Sequence, residues 1–167
     1  MRTCTALVLS CSLGGCGLIS HRPPSDFFLA ASVPAALQPT VRAGLTRAFT
    51  SLRLFEAPRG DVLVVSAGTC GVSDFAGQVE MGPPNAMTLC GWDSDVTTPA
   101  ARAGRILALH HAVGHVLDAT HSGSDDVMAP EPSAARLADL LRDEDHFRYT
   151  DADMRSICAH ANIPSCK

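Results

Sequence analysis

The stretch from His110 to Pro130, reading HHAVGHVLDATHSGSDDVMAP, limits what this chain can fold into more than any other. His111 and His115 are one helical turn apart, so a helix there projects both imidazoles from one face. His121 follows six residues later. For its ring to join the others, the helix must stop near Leu117 and the chain must turn before His121. Asp118 stands where that turn falls; aspartate tolerates the left-handed backbone better than most residues, though less well than glycine. Three imidazoles gathered this way grasp one metal ion from three sides and leave a fourth position open. With seven histidines in 167 residues, the spacing arises by chance roughly once in a hundred such chains. The bland alternative is a set of histidines satisfied by core hydrogen bonds, which needs several buried partners for converging rings.

The surroundings supply the helix. Thr98 before Pro99 is a start signal, a capping hydroxyl followed by proline at the first helical position. The helix is expected to run to about Leu117, with Ile106, Val113 and Leu117 on one face and Leu107, His111 and His115 along another. His110 lies about 100° round the helix from His111. Upstream, Phe27 to Ala31 reads as a strand. Leu37, Val41, Leu45, Phe49 and Leu52 predict a helix over 36–52. DVLVVS, residues 61–66, reads as a buried strand, and Gly77–Met81 and Ala86–Leu89 as two short strands. Downstream, Ser133–Arg142 looks like a short surface helix. Thr150–His160 is a final helix, with Thr150 and Asp153 in a capping arrangement. Asp125 and Asp126 are expected to be solvated.

The N-terminus is read apart from the fold. Met1-Arg2 and the short apolar run after it precede Leu13-Gly14-Gly15-Cys16. This resembles the lipobox of bacterial lipoprotein signal peptides, in which the cysteine is lipidated; an ordinary secretory signal is the alternative. The expected organisation is a signal peptide over 1–15, a tether over 16–26 and one domain over 27–167. Either reading exports the protein, as a cell-envelope lipoprotein or in secreted form. Cys70, Cys90, Cys158 and Cys166 then form an even set for an oxidising compartment. Of three pairings, Cys70–Cys90 and Cys158–Cys166 are favoured, because each is close in sequence. The formal net charge of −4 gives no basic surface for nucleic acid. A monomer is expected.

His111 to His121 also resembles the metzincin zinc motif, His-Glu-x-x-His-x-x-Gly-x-x-His, with Ala112 for the glutamate and Asp118 for the glycine. Ser122 after the third histidine is similar to the matrixin branch, and Met128-Ala129-Pro130 looks like its Met-turn. Asp153 matches an acidic residue that ties the last helix to that turn. The resemblance is specific from His111 to Pro130 and weak in the N-terminal half. It implies an α+β fold: a twisted mixed sheet packed on two long helices, then a smaller C-terminal subdomain with one helix after the Met-turn. It implies Zn2+ held by His111, His115 and His121. It also implies a sheet-edge strand, Gly77, Gln78, Val79, Glu80 and Met81, on which an extended peptide or protein ligand pairs; an ordinary hairpin strand is the alternative.

The departures matter for chemistry. Alanine at position 112 cannot take a proton from metal-bound water, and loss of such help typically costs roughly 10²–10⁴ in rate. Asp118 is a weak candidate for a substitute base. The expectation is a zinc-binding pseudopeptidase anchored at Cys16, with weak or no proteolysis. The alternatives are an active metalloendopeptidase with a non-standard base and a structural lipoprotein without metal.

Overall fold

The computed structural model of the chain describes residues 22–57, 60–69, 78–80, 85–92, 97–122 and 125–167. The expected lipidation site, Cys16, lies outside them, as do Gly77, Met81 and Cys70.

Four strands make one mixed sheet in the order β1 (Pro24–Leu29), β2 (Asp61–Gly68), β4 (Asn85–Cys90), β3 (Gln78–Glu80). β1, β2 and β4 run parallel, and β3 pairs antiparallel to β4. A parallel pair needs a long crossover, and between β1 and β2 it is α1 (Gln38–Ser51). α2 (Pro99–Val116) follows β4 and packs on α1. α3 (Ala134–Arg142) and α4 (Asp151–Cys158) complete the chain. The α+β class and the two long helices match the expectation. Two helices follow the segment around Met128, as the residues over 133–142 and 150–160 predict, and not the single helix that the resemblance implies; Ser133 caps α3 by accepting from the Arg136 amide. β1 also starts earlier than expected: Pro24–Asp26 belong to the sheet and not to a tether, with a register shift between Pro24 and Asp26.

Side-chain alternation explains which sheet face is covered. Leu63 and Val65 of β2 and Met87 and Leu89 of β4 point into the core, where Val41, Leu45 and Phe49 of α1 meet Ile106, Leu109 and Val113 of α2. Phe27 packs edge-on against Phe49, with ring centres 5.3 Å apart. The other face is open enough that Phe28 is 60% and Val62 45% exposed. The run DVLVVS is therefore buried on one face only, not as a fully buried strand. Its apolar outward residues hide the alternation in the sequence. At the helix crossing, a Cβ on Gly44 would come within 2.6 Å of Leu109 Cδ1, so glycine there permits the close approach.

Candidate metal centre

α2 is built to carry its histidines on a fixed frame. The Thr98 hydroxyl accepts from the Ala101 amide, with Pro99 in the first turn. At the far end the Asp118 amide donates to the His115 carbonyl, and Asp118 takes φ +66°, the left-handed turn expected there. The Ala119 amide donates to the Gly114 carbonyl, closing the helix. The chain then reverses, and His121 comes back to the helix face bearing His111 and His115.

The three rings converge. Ligand atoms of His111, His115 and His121 all lie within 4.8 Å of one another. His115 Nε2 is 2.9 Å from His111 Nε2 and 3.3 Å from His121 Nε2. Tetrahedral bonds of about 2.0–2.1 Å to one ion set nitrogens about 3.3 Å apart, so the spacing suits a common metal. The tautomers suit it too. His111 Nδ1 lies 2.7 Å from the Val127 carbonyl and His115 Nδ1 2.8 Å from the Ala119 carbonyl. A carbonyl only accepts, so each Nδ1 must carry the proton, which leaves Nε2 with the lone pair. Two lone pairs facing each other at 2.9 Å repel; a cation between them turns the repulsion into binding. The trio can therefore hold a metal ion. His111 is buried, His115 half-buried and His121 exposed, so the centre opens on its His121 side.

Met128, fully buried, packs against α2 at Gly114. A Cβ on Gly114 would fall 2.2 Å from Met128 Sδ. Gly114 sits between His111 and His115 in sequence, so the missing side chain makes the seat for the methionine; reading the histidine spacing alone misses this role. Pro130 is exposed two residues on. Asp153 accepts from the Val127 amide at 2.6 Å and closes a capping box with Thr150, tying α4 to the same turn. Arg136 of α3 lies 3.2 Å from Asp153 and stacks over Phe147, holding α3 against this support.

Three other readings meet the structure here. Asp126 is not solvated: it is 2% exposed and accepts from the Ser122 hydroxyl and the Met128 amide. Asp125 is exposed. His110 does turn away from the trio, into a pocket between Phe147 and Tyr149. Burial there pushes its pKa down to about 4, with Arg47, Arg136 and Arg148 adding to the effect, so it stays neutral at pH 7. The Tyr149 hydroxyl donates to the His110 carbonyl, and burial holds that phenol well above its ordinary range.

Ala112 is wholly buried and presents no proton-transferring group. Asp118 lines a cleft of about 290 Å³ with Arg22, Leu117 and His160, a cleft lined by none of the three histidines. β3 is an edge of the sheet, as expected for Gln78, Val79 and Glu80, and it approaches α2. Cys158 and Cys166 form a disulfide, as expected; Cys90 is also disulfide-bonded. Among the described residues no helix is long and apolar enough to cross a membrane. Compared with protein-family models, curated proteins and solved structures, the chain finds no match.

Proposed function

We propose that this protein is an exported, zinc-binding, matrixin-like module that binds an extended peptide or protein segment and cleaves it weakly or not at all. The observation that carries the reading is the pairing of a prepared metal centre with Ala112. His111 and His115 are oriented by backbone carbonyls, and a buried methyl group occupies the position a general base would need. Three neutral imidazoles suit zinc, which when bound acidifies a water and polarises a carbonyl. The edge strand β3 gives an extended ligand a row of backbone groups to pair with. Lipidation at Cys16 would hold the module at a membrane, and the Cys158–Cys166 disulfide favours an oxidising compartment. Asp118, facing a different cleft, argues against the reading of an active peptidase with a substitute base.

The test is zinc stoichiometry and peptide cleavage by the native chain, His115→Ala and Ala112→Glu. One zinc per chain is expected, lost in His115→Ala, with little or no cleavage by the native form. Ala112→Glu should gain cleavage, provided it still binds zinc, because position 112 is tightly enclosed. Robust native cleavage that His115→Ala abolishes sinks the pseudopeptidase reading. A native chain that takes up no zinc leaves the structural lipoprotein.

A further inference from the structure

Of the three histidines, His121 is the one not carried on α2. His111 and His115 stand on a helix, with their rings fixed by the Val127 and Ala119 carbonyls. His121 is exposed and lies in a segment with no helix or strand. Its neighbour Ser122, however, is tied down twice. The Ser122 amide donates to the Met128 carbonyl at 2.8 Å, and its hydroxyl donates to Asp126 Oδ1 at 2.5 Å. The same Oδ1 accepts from the Met128 amide at 2.8 Å, and Oδ2 from the Ser156 hydroxyl of α4 at 3.3 Å.

We propose that Asp126 is a positioning residue for His121, acting through Ser122: a buried carboxylate that fixes the distance between the loop of the third ligand and the Met128 turn. This rests on the reading of the histidine trio as a metal centre. A carboxylate that is 2% exposed is costly to bury unless donors surround it, and here they come from the ligand loop, the Met128 turn and α4. The carboxylate thus touches the ligand loop at Ser122, the turn at Met128 and α4 at Ser156. Groups behind a ligand typically change metal affinity 10–100-fold when removed.

The test is zinc affinity, measured on the full chain by competition with a chromophoric chelator. The variants are Asp126→Ala, Asp126→Asn and Ser122→Ala, each made alone and with His121→Ala. Asp126→Ala and Ser122→Ala should weaken zinc about 10–100-fold when His121 is present, and add nothing once His121 is gone. Asp126→Asn keeps an acceptor for Ser122 and Met128, and should retain affinity. Equal weakening with and without His121 makes Asp126 merely structural and overturns the proposal. So does unchanged affinity in a native chain that binds zinc, and then the metal reading stands. A native chain that binds no zinc overturns both. Should Asp126→Ala fail to fold by circular dichroism, the Ser122→Ala pair decides alone.

Discussion

Asp118 shows how a single backbone angle can be right for the fold and unfavourable for the residue. Its φ of +66° is the left-handed turn that brings the chain back toward α2, and a side chain there costs energy that glycine avoids. Asp118→Gly is therefore expected to stabilise the fold modestly, by about 0.5–1 kcal/mol once the added freedom of the unfolded chain is subtracted. It should leave zinc affinity unchanged, since the aspartate lines another cleft. Urea denaturation and a zinc titration check this; lost affinity would give Asp118 a role at the metal. The turn and the histidines were legible in the sequence because their spacing is local and periodic. Asp126 was not, because two successive aspartates in a polar loop look the same whether water or buried donors satisfy them. Gly114 was missed for a related reason: its importance is the space it leaves for Met128, a residue distant in sequence and adjacent only in three dimensions.

At the scale of elements, most of the order was readable and most of the pairing was not. Capping residues mark their helices locally: Thr98, Ser133 and Thr150 each accept from the first turn they precede. Helix boundaries accordingly fall close to their predicted ends. The sheet order is different: β4 pairs locally with β3 on one side, but on the other it pairs with β2, which lies before β3 in the chain. The links between helices are also non-local. Arg102 of α2 makes two bonds to Glu144, at 2.7 and 2.8 Å, and a third to Thr40 of α1 at 2.9 Å. Arg47 of α1 reaches Glu144 at 3.3 Å. The bond from Arg102 holds the Glu144 carboxyl below its ordinary range. A carboxyl with a lowered folded pKa stabilises the fold above its unfolded value, and that contribution is lost as pH falls through the folded one. Glu144→Gln should thus cost on the order of 1 kcal/mol near pH 6, and its deficit should shrink as the pH drops below about 4.5. Urea midpoints of both forms across pH 3 to 7 read this out; a deficit independent of pH would assign the loss to packing.

For the whole molecule, the candidate centre lies where an extended, well-packed core gives way to irregular chain. The sheet, α1 and α2 share one apolar cluster, whereas residues 119–122 and 125–133 contain neither helix nor strand. The bonds that tie that segment to the helices include Val127 to Asp153, Asp126 to Ser156, and the two imidazoles on the Ala119 and Val127 carbonyls. A metal joining His121 to His111 and His115 ties this segment to the core at one further point. An ion that binds only the closed form stabilises it by about 4 kcal/mol at a thousandfold excess over its dissociation constant. Openings that break the site must slow by the same factor, and openings that leave it intact must not. Zinc at that excess should therefore slow hydrogen exchange of the Ser122, Val127 and Met128 amides by up to about a thousandfold. Amides that open only on global unfolding should slow alike, while those of edge strand β1 that fray locally should not change. Hydrogen exchange with zinc and with a chelator distinguishes the cases. Protection gained in the core but not at Ser122, Val127 and Met128 would show that the third histidine does not close the site.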